Sequence, residues 1–198
     1  MKDTILFGDC RKTISTITEP VKMCVTSPPY YGLRDYGGEE NQIGQENSPE
    51  EFVDQLVEVF RNVREVLTDD GTLWINIGDS YYNYRPGKGQ SYPKQSVSKT
   101  KQDLPDKCNK RGNKLQGLKE KDLIGIPWLL AFALRSDGWY LRQDIIWHKP
   151  NPMPESVRDR CTKSHEYIFL LSKNKKYYYD NEAIKEPAKD WGTRDRTK

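Results

Sequence analysis

Cysteine and histidine are too few in this chain, and too scattered, to build a metal centre. The four cysteines, Cys10, Cys24, Cys108 and Cys161, form no Cys-x-x-Cys pair, and His148 and His165 are the only histidines. That pattern speaks against a zinc site and against a disulfide framework, so a reduced cytoplasmic setting is the default expectation. Long apolar runs are also lacking. The longest, residues 126–134, is too short to span a bilayer and contains Pro127, and no apolar leader follows Met1-Lys2-Asp3-Thr4, so no membrane partner is expected. Hydrophobic residues supply only 35% of the 198 residues and the mean hydropathy is −0.90. One domain is expected, with much of its length solvated loop or ligand-facing surface.

What is present reads as alternating strands and helices. Residues 4–7 form a short apolar run closed by Gly8-Asp9-Cys10, a weak helix follows over about 11–17, and a second apolar run spans 21–25. The best-marked helix begins with Ser48 as N-cap, Pro49 at the first helical position and Glu51 completing a capping box. Phe52, Leu56, Val59, Phe60, Val63, Val66 and Leu67 recur behind it at three- and four-residue spacing, so one face is buried. Asp69-Asp70-Gly71 is expected to end it, with a strand over 72–77 running into Gly78-Asp79. A helix over about 127–135, a strand over 139–147, and a hairpin of 166–172 with 176–179 complete the pattern. The implied class is α/β, one sheet with an antiparallel edge. Trp128, Trp139 and Trp147 read as core.

Residues 81–121 break this rhythm. They carry eleven Lys/Arg against three Asp/Glu, a net +8, so the rest of the chain carries −5 of the total +3. Tyr81, Tyr82, Tyr84 and Tyr92 are interleaved with the charges. Such a stretch is ordinarily a solvated loop, but cations that neutralise phosphates beside rings that stack on bases also describe a nucleic-acid contact. A structureless loop this long is uncommon in a domain without a function. Lys88, Lys94, Lys110 and Arg111 are its candidate DNA-binding residues.

The run 21–25 ends in Thr26-Ser27-Pro28-Pro29-Tyr30. Two prolines fix φ and supply carbonyls without N–H groups, leaving oxygens free to accept from a ligand. A ligand with an amino group and a flat ring suits this turn: Ser27 and the Pro28 carbonyl accept, and Tyr30 stacks. A nucleobase swung out of a helix is such a ligand. Pro-Pro-Tyr also occurs in polyproline peptides bound by aromatic grooves, although those motifs lie in disordered surroundings rather than at the end of an apolar strand.

Together with Trp74-Ile75-Asn76-Ile77-Gly78-Asp79 and Trp147-His148-Lys149-Pro150-Asn151-Pro152, this turn resembles the motifs of the amino-methylating DNA methyltransferases, over roughly residues 4–187. The resemblance implies a Rossmann-like sheet dependent on S-adenosyl-L-methionine, with an antiparallel C-terminal hairpin. It implies methylation of the exocyclic amino group of cytosine, or adenine, in a flipped base of double-stranded DNA, as in restriction-modification. Ser27, Pro28, Pro29 and Tyr30 take the catalytic positions, and Asp9 and Thr26 the cofactor side, Asp9 being equally readable as a turn carboxylate. Tyr31, Arg34, His148 and Lys149 are placed on the DNA side. Arg34 and Asp35 alternatively order the glycine-rich loop. No metal is implied.

The resemblance is incomplete. The family's Phe-x-Gly-x-Gly cofactor motif has no match here, and the order of motifs resembles the subgroup in which that motif comes last. Residues 1–187 are thus expected to be the catalytic-motif part of a methyltransferase domain, with a mobile basic loop at 81–121, and 188–198 a polar tail that begins a recognition region. The expected consequences are an unpaired edge on the catalytic strand, uncovered apolar surface and weak activity unless a further segment or a separate chain completes the site. A non-catalytic DNA-binding module of the same fold is the alternative. Related turns also serve methylation of protein glutamine or RNA bases, but the serine before the prolines and the basic stretch favour DNA.

Overall fold

The computed structural model describes residues 3–33, 42–82, 115 and 117–188. Four strands form one sheet in the order β1-β2-β4-β3: β1 Val21–Thr26, β2 Leu67–Ile77, β3 Tyr140–His148 and β4 His165–Ser172. β1 runs parallel to β2, while β4 is antiparallel to both β2 and β3. The carboxyl ends of β1, β2 and β3 therefore share one edge of the sheet with the start of β4.

Helix α2, Pro49–Val66, starts as the sequence predicts. Ser48 accepts from the Glu51 N–H, and Glu50 and Glu51 sit in the first turn. The reciprocal bond is displaced by one residue, with the Glu51 carboxylate accepting from the Asn47 N–H at 3.0 Å. Helix α3, Ile126–Ser136, follows Gly125, which takes a φ of 86° and has no side chain to cap the helix. Asp79 supplies the cap from the end of β2, accepting from the Gly125 and Ile126 N–H groups at 3.0 Å each. Both helices lie on one face of the sheet, where Phe52, Leu56, Phe60, Leu130 and Leu134 close over Leu73, Ile75, Ile77, Phe169 and Leu171.

Three expectations are corrected. Residues 4–7 form no strand, and Ile5 and Phe7 are 76% and 87% exposed, because no strand among the described residues lies along the free edge of β1. Asp69-Asp70-Gly71 does not separate helix from strand. Helix α2 passes directly into β2 at Leu67, and residues 68–71 bulge out between the pairs Leu67–Val21 and Thr72–Met23. Gly71 is required in that bulge, since a Cβ there would stand 2.9 Å from the Thr68 carbonyl oxygen. Finally, the antiparallel pair is made by 140–148 and 165–172, not by 166–172 and 176–179. The expected turn and second strand bind the bulge instead: Lys173 donates to the Leu67 carbonyl, Asn174 to the Asp69 carbonyl and Tyr178 N–H to the Asp70 carbonyl.

The weak helix of residues 11–17 is present as α1, Cys10–Thr13, followed by a 3-10 turn, Ile14–Thr16. Most of the basic stretch, 83–114, lies outside the described residues, but its base is tied. Tyr82 and Asp122 bond through Tyr82 N–H, Lys121 N–H donates back to Tyr82, and Ile124 N–H donates to Ser80. Among the described residues no helix is long and apolar enough to cross a membrane.

Candidate active site

The proline turn lies at the shared strand edge, where open α/β sheets hold their ligands. Thr26 is the last residue of β1 and pairs with Ile75; Ser27 is exposed, Pro28 is buried and Tyr30 is half-buried. Behind the turn, Gly32 N–H donates to the Gly44 carbonyl at 2.9 Å and Leu33 N–H to the Tyr30 carbonyl at 3.3 Å. Gly44 has a φ of 100°, and a Cβ on it would approach the Tyr30 carbonyl oxygen to 3.2 Å.

Tyr30 does not project freely. Its hydroxyl shares one proton between Asn76 Oδ1 and Glu166 Oε2, each 3.1 Å away. Its ring lies against Gly78, where a Cβ would meet the ring at 2.7 Å, so glycine is the only residue that leaves the ring its place. Burial pushes the Tyr30 phenol up; the neighbouring Ser27 hydroxyl opposes the rise and the Glu166 carboxylate adds to it. Burial would raise Glu166 too, but bonds from Lys149 and Tyr30 outweigh it and hold this carboxyl below its usual range. The Lys149 ammonium is ion-paired with Glu166 at close range, and its backbone N–H donates to Ser164. Lys163, half-buried nearby, is lowered by burial against the opposing pull of Asp79 and Glu166.

The predicted residues fall into three groups. Thr26, Ser27, Pro28, Pro29, Tyr30 and Lys149 come together at the turn. Tyr31 packs away from it against Phe52, ring centroids 5.5 Å apart, and burial beside Glu46, Glu50 and Glu51 pushes its phenol up to about 12. His148 is exposed at the end of β3, opposite His165. Asp9 caps α1 through the Arg11 N–H and pairs with the Arg11 guanidinium at 2.8 Å, which holds its carboxyl below the usual range. Arg34, Lys88, Lys94, Lys110 and Arg111, like Asp35, lie outside the described residues. Of the tryptophans, Trp139 is 2% exposed and Trp128 packs on the core, but Trp147 is 55% exposed, because β3 is an edge strand.

Sequence reasoning missed Glu166, and it placed Asn76 and Asp79 in a motif without giving either a contact. Asn76 was visible as a lone amide inside the apolar run 73–77, and Glu166 as an acid at the mouth of another. Only the register of β4 between β2 and β3 puts the two side by side, since Asn76 pairs with Ile168 and Glu166 with Trp147.

The comparisons give the family to which a chain with this motif at this edge belongs. The family model described as DNA methylase, for N6 and N4 methyltransferases, matches residues 21–198, and the chain belongs to that family. It is 55% identical to the Type II methyltransferase M.SmaI of Serratia marcescens over 94% of this chain and 61% of that protein. It is 50% identical to the Type II methyltransferase M.Cfr9I of Citrobacter freundii over 98% of this chain and 62% of that protein. The chain thus spans about three-fifths of the length of these relatives. Among solved structures, a putative DNA modification methylase from Thermus thermophilus, complexed with S-adenosyl-L-methionine, superposes with a TM-score of 0.55 at 22% identity, over 89% of this chain and 55% of that one. The PvuII DNA methyltransferase (cytosine-N4-specific) gives 0.54 at 15% identity, over 87% and 50%. At such identities the likeness establishes the fold.

Proposed function

We propose that this chain is the catalytic-motif part of a site-specific DNA methyltransferase that methylates the exocyclic amino group of cytosine, or adenine, in a flipped base. The observation that carries this reading is the Thr26-Ser27-Pro28-Pro29-Tyr30 turn standing at the ligand-binding edge of the sheet in a member of this family. The amino nitrogen is a poor nucleophile, because its lone pair is conjugated into the ring. Ser27 Oγ and the Pro28 carbonyl accept its two hydrogens, which favours a pyramidal nitrogen with its lone pair free. The nitrogen then takes the methyl carbon and releases a proton to solvent or a weak acceptor, so no strong base is required. Methylation of a ring carbon would need a thiolate nucleophile, and no cysteine belongs to the turn. Serine before the prolines favours cytosine.

S-adenosyl-L-methionine supplies an activated methyl group on a sulfonium. Thr26 and Asp9 are the proposed contacts to it, and the Asp9 carboxylate is engaged by Arg11. The rest is proposed to come from further polypeptide, in the same or a separate chain, that carries the cofactor motif and pairs with the free edge of β1. The basic stretch and His148 are proposed to contact double-stranded DNA, and the Type II names of the relatives fit a restriction-modification setting.

Transfer of labelled methyl groups to DNA tests the reading. Ser27→Ala with Tyr30→Ala is expected to cut the rate of the completed enzyme by about 10²-fold or more, the scale of losing a preorganised polar contact in the transition state. Unchanged methylation would end the proposal. Calorimetry with S-adenosyl-L-methionine separates the non-catalytic alternative, which predicts no binding even to the completed protein.

A further inference from the structure

The residue that fixes Tyr30 lies 136 positions away in the chain. Glu166 is the second residue of β4, and Asn76 precedes the last residue of β2; the antiparallel pairing of those strands brings both to the tip of the proline turn. The two oxygens on which the Tyr30 hydroxyl rests are themselves oriented. Asn76 Nδ2 donates to the Tyr167 carbonyl at 3.3 Å, which turns Oδ1 toward Tyr30, and the Lys149 ammonium takes the other oxygen of Glu166. With the ring against Gly78 and the hydroxyl held at its far end, Tyr30 cannot swing without breaking bonds to an ionised group, which are worth more than neutral ones. A ring that must receive a base at the right height and tilt gains from being set in advance, because small misplacements at a reacting centre cost rate steeply.

We propose that Glu166 is a positioning residue of the methyl-transfer site: held ionised by Lys149, it anchors the Tyr30 hydroxyl together with Asn76 and so presets the ring for the extruded base. This rests on the reading of the proline turn as the base pocket. Lys149, placed on the DNA side by its sequence context, serves this anchor rather than a phosphate. Glu166 touches no reacting atom and acts only through Tyr30.

A double-mutant cycle tests that dependence in the form of the protein that transfers methyl groups. Glu166→Ala is expected to lower kcat by about 10- to 100-fold, the range of a lost hydrogen bond to a charged group, with KM for DNA within about threefold. Tyr30→Phe, which keeps the ring and removes the hydroxyl, is expected to give a similar loss. The double variant should be no slower than the slower single variant, and Glu166→Gln, which still accepts from the hydroxyl, should recover part of the rate. Losses that multiply in the double variant, or an unchanged kcat in Glu166→Ala, overturn the proposal. A second readout needs no activity. The 13Cζ resonance of Tyr30, assigned by its disappearance in Tyr30→Phe, should move between wild type and Glu166→Ala at neutral pH. A resonance that stays put removes the anchor. Wild-type protein that methylates nothing in any form would instead refute the proposed function, while the resonance still decides the contact.

Discussion

Two consecutive rungs of the β1–β2 ladder meet opposite surroundings. Cys24 pairs with Leu73 and faces the helices, where Leu73 is 0% exposed and Cys24 is buried enough to push its thiol up. One residue on, Val25 pairs with Trp74 and faces the other way, and Val25 is 68% exposed. Met23, two residues back on the same face, is 56% exposed, and Ile5 and Phe7 stand uncovered nearby. One face of this sheet is a finished core. The other is covered over β2 and β4, where Leu170 pairs with Trp74 and is 2% exposed, but open along β1, the strand that carries the proline turn. A sheet edge with free backbone groups beside exposed apolar side chains is what natural proteins ordinarily cover. The contrast explains how the turn and its network can be well formed in a chain that spans three-fifths of its relatives' length.

The strongest way to break the comparison is to damage the finished face. Leu73→Ala is expected to cost about 2–5 kcal/mol, the range for truncating a fully buried leucine, and urea unfolding measures it. A loss below about 1 kcal/mol would mean that the helix-covered face is not the core. Next in size is Asp79→Ala, which strips the borrowed cap from α3 and is expected to cost about 1–2 kcal/mol by the same measurement. Asp79→Asn, which keeps an acceptor, should restore most of it.

These two residues also mark what the sequence makes legible. Leu73 sits in a run of β-favouring residues, and α2 announces its start through Ser48-Pro49 and its buried face through periodicity, because both signals are local. The proline turn was legible for the same reason: strand, stop and aromatic follow one another within ten residues. What escaped was every feature set by pairing between distant segments. Asp79 capping α3 across 46 residues, Glu166 meeting Tyr30 and the bulge of 68–71 held by Lys173 all depend on strand order and register. The expected strand at 4–7 failed for a related reason. Its apolar residues are real, but a strand needs a neighbour, and the described residues offer none.

A smaller effect probes the polar network at the strand edge, on the side of the sheet away from the helices. The folded-state pKa of Glu166 is depressed, so its ionised form stabilises the fold above the pKa it has unfolded. That stability is fully present at neutral pH and is lost as pH falls through the depressed folded value. Thermal unfolding followed from pH 7 into the acid range should therefore fall more steeply for wild type than for Glu166→Gln, which has no proton to gain there. Parallel curves would mean that the Lys149 and Tyr30 bonds do not favour the charged carboxylate.

The smallest expected effect sharpens the comparison most. Val25→Ser changes a side chain only one residue from Cys24, yet in this chain alone it should alter stability by no more than about 0.5 kcal/mol, as for an exposed substitution. In a form completed by the proposed further polypeptide the same change should cost about 1–2 kcal/mol, because covering the face removes most of a valine side chain from water. Measuring both forms by urea unfolding isolates the cover from the fold. A substantial loss in this chain alone would mean that the open face is already packed. Equal, negligible losses in both forms would mean that the proposed further polypeptide does not lie against β1.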